Sequence, residues 1–160
     1  MTPFAWLLGF LLPACGAPGS QGLPVPPPMD MANIARPASP NTALAAPAGF
    51  HPAPDLMTPG YAVPASRLRA AIEAVAAAQP RTFRAADYPD RLQVHWVVRS
   101  AVLNFPDLVT AQVIAEGPDT AGLVLYSRSV YGYSDLGANR RRVVAWLAAL
   151  DRQLNPASER

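Results

Sequence analysis

At 160 residues, 51% hydrophobic and 15% charged with a net charge of +2, the chain is sized for one folded domain with extensions. All thirteen basic residues are arginine and, apart from Arg140, Arg141 and Arg142, they are dispersed, which excludes the basic stripe of a nucleic-acid binder. A single cysteine, Cys15, and two distant histidines, His51 and His95, exclude an intramolecular disulfide and a zinc site of the usual spacing, so neither metal nor cofactor is expected.

The first element is the apolar run "FAWLLGFLL", Phe4 to Leu12. As a helix it rises about 13 Å, far short of a bilayer core of about 30 Å. It fits the apolar region of a secretory signal rather than a membrane span. The ending "LLPAC" resembles the lipobox of bacterial lipoproteins. That resemblance implies cleavage before Cys15 and acylation of its sulfur and new amine; an ordinary cleaved signal is the alternative. Residues 1–14 are thus expected to be a signal peptide, with Cys15 the lipidated contact with the periplasmic side of a bacterial membrane. Each buried methylene is worth about 0.8 kcal/mol, so several acyl chains hold a protein where one would not.

Residues 15–35 follow as "CGAPGSQGLPVPPPMDMANIA", without an apolar period. The Pro-Pro-Pro centre favours an extended polyproline form. The twenty residues from Gly16 to Ala35, at about 3.1 Å each, reach about 60 Å, so a disordered tether, dispensable for folding, is expected.

Fourteen of the nineteen prolines precede Ser66, and the folded body is placed at 36–160. Tyr61 to Val63 reads as extended. A helix follows, with Ser66 as candidate N-cap, Pro80 beyond its end, and Leu68, Ile72, Val75 and Ala76 on one face. Arg81 to Ala85 reads as a short strand. In "LQVHWVVRS", Leu92, Val94, Trp96 and Val98 oppose Gln93, His95, Val97 and Arg99. "DLVTAQVIA" alternates likewise, and "GLVLYSRSV" begins apolar on both faces, as a covered strand does. The intervening turns suit an antiparallel meander. Leu136 to Leu154 reads as a helix with the stripe Leu136, Val143, Leu147, Leu150 and Leu154. The expected fold is α+β: an antiparallel sheet of three to five strands, an N-terminal and a C-terminal helix packed on it, and a Pro-rich arm in front.

The corner "YSRSVYGYSDLGANRRR", Tyr126 to Arg142, concentrates groups that are costly to bury. Asn139 and Arg140 follow Leu136 by three and four residues and so share its stripe, whereas Arg141 and Arg142 are assigned to water. A buried guanidinium needs a partner, and Asp135 or Asp107 is within reach in sequence terms. A polar knot of Arg128, Asp135, Asn139 and Arg140 is therefore expected to fix how the last strand delivers the helix. Gly132 and Gly137 would supply its tight backbone.

"SRSVYGYSDLGANRRRV", with "RSAVLNFPD" and "RPASPNTALAAP", resembles the bacterial and plastid family named domain of unknown function 1499, over Arg36 to Leu150. Many members carry a cysteine soon after Ser-Pro-Asn where this chain has Thr42, so no role of that cysteine transfers. The resemblance implies export or membrane association and no established activity.

Three functional readings follow. The first is a lipid-anchored envelope protein acting as a structural or protein-interaction module toward an unknown envelope protein. The second is a binding module for a lipid or small apolar ligand beneath a helix, with His95, Trp96, Arg99 and Arg128 as contacts; in this case Trp96 has the alternative of being core. The third and least supported is a hydrolase using Ser127 or Ser129, His95 and Asp135. It lacks a Gly-x-Ser-x-Gly elbow, a Gly-rich phosphate loop and paired carboxylates.

Overall fold

The alternating stretch "QVHWVVR" forms a strand buried on both faces, and the architecture follows from what covers each face. The computed structural model describes residues 17–155, so Cys15 and the signal-peptide stretch lie outside the described residues. Six strands form one mixed sheet: β1 (Thr42–Ala46), β2 (Leu56–Met57), β3 (Thr82–Tyr88), β4 (Gln93–Arg99), β5 (Pro106–Gly117) and β6 (Thr120–Ser129), in the order β2-β1-β6-β5-β4-β3. All neighbours pair antiparallel except β1 and β2, which are parallel. The class is α+β, as expected, but the sheet is larger than three to five strands and not wholly antiparallel. Its extra strands, β1 and β2, lie between prolines. There "TALAA" and "LM" are too short to show a period, and partners distant in sequence make them strands.

Both helices, α1 (Ala65–Ala77) and α2 (Ala138–Leu154), cover the same face. Leu68, Ile72, Val75 and Ala76 of α1 point inward as their spacing requires. Its N-cap position is Pro64 rather than Ser66; the Pro64 carbonyl accepts from the Arg67 and Leu68 N–H groups. From the sheet, Val94, Trp96, Val109, Ala111, Leu123 and Leu125 meet the helices. Trp96 packs edge-on against Trp146 of α2 at 5.5 Å, so Trp96 is core and not a ligand contact.

The opposite face is covered by the Pro-rich arm, which is not a free tether. Asn104 Nδ2 donates to Ala17 O, Arg99 donates to Gly19 O and Gln21 O, and Tyr88 Oη donates to Pro26 O. A polyproline-like segment leaves its carbonyls unpaired, and here side-chain donors from the sheet take them up. Met31 and Ile34 then bury against Leu44, Ala46, Val124 and Tyr126 in a second apolar cluster.

The knot joins the residue ahead of β1 to β5, β6 and α2, on the helix face. Asn139 is fully buried: its Oδ1 accepts from Ser127 Oγ (2.5 Å) and Arg142 Nη1 (2.8 Å). Its Nδ2 lies 2.7–3.0 Å from Asp135 Oδ2, Asn41 O and Ser129 Oγ. Arg142 Nη2 reaches Asp107 Oδ2 at 2.6 Å, in a pair shielded on both sides. Asp135 accepts from the Gly137 and Asn139 N–H groups, both at 2.8 Å, and so caps the helix. Burial pushes its carboxyl up, but the hydrogen bonds from Asn139 and Gly137 outweigh that and hold its pKa below 3.8. Gly137 sits at φ +79°, where a side chain would be strained.

Two members of the expected knot are elsewhere. Arg140 is exposed, with a 3.4 Å contact to Asp55 O, and Arg128 lies on the other face of the sheet. The reason is the true start of α2. Leu136 has φ +52°, precedes the helix and is 85% exposed, so the buried stripe is Asn139, Val143, Trp146, Leu150 and Leu154. Around that stripe Arg140 and Arg142 stand equally far to opposite sides, and only Arg142 overhangs β5 and Asp107.

Removing one partner of a shielded charged pair typically costs about 3–5 kcal/mol, and a surface change stays within about 0.5 kcal/mol. Arg142→Ala is therefore expected to lower the melting temperature strongly, with Arg140→Ala and Arg141→Ala near wild type. Equal small shifts in all three would disprove the assignment.

Candidate functional site

Register places a row of polar side chains across the arm-covered face. His95 of β4 pairs with Thr110 of β5, and Thr110 with Tyr126 of β6; Gln93 pairs with Gln112 one step along. Gln93 fixes the chemistry of the row. Its Oε1 accepts from the Met29 N–H at 2.7 Å and its Nε2 donates to Met29 O at 2.9 Å, as a strand neighbour would. With the amide so oriented, Oε1 also accepts from His95 Nε2 (2.8 Å), and Nε2 donates to Gln112 Oε1 (2.8 Å). His95 is then the Nε2–H tautomer, and its Nδ1 accepts from Thr110 Oγ1 at 2.9 Å. Burial first, and the Arg128 charge second, lower its pKa from 6.5 to about 4.

Next to this row lies a cleft of about 610 Å³ between the arm and the paired strands β1 and β6, lined by Met29, Ile34, Arg36, Thr42, Tyr126 and Arg128 among others. Among the described residues five arginines are buried or half-buried: Arg36, Arg69, Arg99, Arg128 and Arg142. Arg36 pairs with Asp55, Arg69 with Glu73 and Asp87, Arg142 with Asp107, and Arg99 holds the arm carbonyls. Arg128 has no side-chain hydrogen bond or ion pair among the described residues. Beside it, the buried Tyr126 Oη has no acceptor among the described residues; the nearby Thr42 Oγ1 already takes two N–H groups of Arg36. Burial pushes the Tyr126 pKa up against the opposing pull of Thr42, Arg128 and Arg36, so the hydroxyl keeps its proton and remains a donor. Tyr61, the other buried hydroxyl without a partner, belongs to the helix-face core. The cleft thus offers a guanidinium and a phenolic donor beside apolar Met29 and Ile34. That arrangement is complementary to an anionic head with an apolar body, and the Asp30 carboxylate also lines the cleft.

The remaining sequence candidates separate. His95 is enclosed by Gln93 and Thr110, and Arg99 is committed to the arm, so neither lines the cleft. Ser127 and Ser129 point to the helix face and bond Asn139, whereas His95 occupies the opposite face. The serine, histidine and aspartate of the hydrolase reading are not brought together. Sequence reasoning missed Tyr126 and Arg36: Tyr126 shares the parity of Arg128 along β6, which was an available signal, whereas Arg36 lies ahead of β1 and has no such signal. Among the described residues no three His, Cys, Asp or Glu side chains converge as a metal site would require, and no helix is long and apolar enough to cross a membrane.

A buried histidine held neutral favours the folded state fully above pH 6.5 and progressively less as pH falls toward 4. The loss over that window is about 3 kcal/mol. His95→Gln is expected to flatten the decline of melting temperature between pH 6.5 and 4. Parallel declines for variant and wild type would show that His95 does not titrate in this way.

The profile of the family described as Protein of unknown function (DUF1499) matches residues 34–150, and the chain belongs to that family. No curated protein matches it. Among solved structures, the crystal structure of the di-domain ARO/CYC BexL from the BE-7585A biosynthetic pathway aligns with a TM-score of 0.47 and 15% identity. The alignment covers 64% of this chain and 46% of that one, so this chain spans less than half of its length.

Proposed function

For this member of the DUF1499 family we propose an exported, lipid-anchored binding module on the periplasmic side of a bacterial membrane, whose ligand is a small amphiphile with an anionic group. The observation that carries the reading is Arg128, which stands without a partner beside the unpartnered Tyr126 hydroxyl in a cleft of about 610 Å³. Ligand pockets commonly span about 300–1,000 Å³, with apolar walls and a few convergent polar groups. A purely structural or protein-interaction role agrees with the closed Asn139 knot but leaves these two donors unexplained.

A charge-assisted hydrogen bond is worth about 1.5–3 kcal/mol, or about ten- to hundredfold in affinity. Calorimetric titration of the protein with dodecanoate and dodecanol is expected to show preference for the carboxylate. Arg128→Gln should lower dodecanoate affinity by at least about tenfold while leaving dodecanol and the melting temperature unchanged. Equal affinity for the two probes, or an Arg128→Gln variant that binds dodecanoate like wild type, would refute the reading.

A further inference from the structure

One end of the sheet differs from the other in both hydrophobicity and charge. The β4–β5 loop leaves it with Val102 91% exposed and Leu103 62%, followed by the half-exposed Phe105. The β6–α2 connection leaves the same end, because Asp107 pairs with Ser129 and the Val130 N–H donates to Pro106 O. It carries Tyr133 at 75% exposure and the exposed Leu136. Phe83, near the start of β3, adds a sixth exposed large apolar side chain to this end. Val25, Met57 and Val144 are the only others among the described residues. Arg81 and Arg141 are exposed at this end, while its acids, Asp107 and Asp135, are engaged in the knot. The β5–β6 turn and the segment before β4, at the opposite end, expose Glu116, Asp119 and Asp90, with Arg91 as the cation among them.

The arm begins at the apolar end. Asn104, within the β4–β5 loop, holds Ala17 O at 3.1 Å, and Arg99 holds Gly19 O at 2.8 Å. Ala17, held beside Val102 and Leu103, is two residues after Cys15 in the sequence, a separation that two extended residues span in about 7 Å. Acyl chains on Cys15 would enter a bilayer next to these side chains, not at the end of a long tether.

We propose that this end of the sheet is a membrane-docking surface, with Val102, Leu103 and Tyr133 entering the interfacial layer of an anionic bilayer beside the anchor. Apolar side chains flanked by arginine suit an interface where buried area and attraction to anionic lipid add. The far end, where Glu116, Asp119 and Asp90 are interspersed with Arg91, Arg67 and Arg152 and no comparable apolar cluster is exposed, then faces away from the membrane. The placement rests on the lipid-anchor reading of Cys15, whereas the surface itself does not depend on acylation.

Cys15 is the sole cysteine, so Cys15→Ala combined with Leu103→Cys admits one environment-sensitive dye, and Cys15→Ala with Asp119→Cys places the same dye at the far end. Vesicles of equal phosphatidylglycerol and phosphatidylcholine are added to each full chain. The expected result is a blue shift and a severalfold rise in emission at position 103 and none at 119. No change at 103, equal changes at both positions, or a shift at 103 that rises with protein concentration without vesicles would each overturn the proposal, the last in favour of self-association. Acylation is read separately, by detergent-phase partitioning of wild type against Cys15→Ala, so failure of the anchor and failure of the surface are distinguishable.

Discussion

The side chain of Asn139 is the constraint on which the rest of the structure depends. One buried amide links Ser127 and Ser129 of β6, the Asn41 carbonyl ahead of β1, the cap residue Asp135, and through Arg142 the Asp107 carboxylate of β5. An apolar residue there would leave several of these partners unsatisfied, each at about 1–3 kcal/mol. With the amide in place, α2 is delivered at one angle across the sheet, and Val143, Trp146 and Leu150 fall onto Trp96 and its neighbours. Three segments that carry the family resemblance in this sequence meet here: Ser39 and Asn41, Asp107 after "NFP", and "SDLGANRRR". Their shared chemistry is architectural.

The sheet therefore has two faces with different work. The helix face satisfies its polar groups almost completely around Asn139. The arm face does so around Gln93, whose amide stands in for a strand backbone and ties Met29 down. Its order stops at Arg128 and Tyr126, where donors remain without acceptors and the arm leaves a cleft. The proposed ligand site is thus the place where an otherwise satisfied face is left open.

Much of the body was legible in the sequence because its periods are long. The alternation of β4 and β5 placed Trp96 and His95 on opposite faces, and the spacing of Leu68, Ile72 and Val75 placed α1 inward. Asn139 facing inward and Asp135 at the helix start were also readable. Arg142 was not, because Leu136 extends the apolar period by chance while its backbone has already left the helical region. The arm was misread for a deeper reason. Composition reports what a segment buries by itself, and residues 17–35 are held by donors on residues 62 to 87 positions away.

If Asn139 governs the assembly, its loss should be felt in strands it does not belong to. The direct measurement is residue-resolved amide hydrogen exchange of the full chain, wild type against Asn139→Ala. The account predicts that Leu44 and Ala45 of β1, Leu125 of β6 and the first turns of α2 lose protection together, while the β3–β4 ladder retains more of its own. Loss confined to the first turn of α2, with β1 and β6 protected as in wild type, would contradict it.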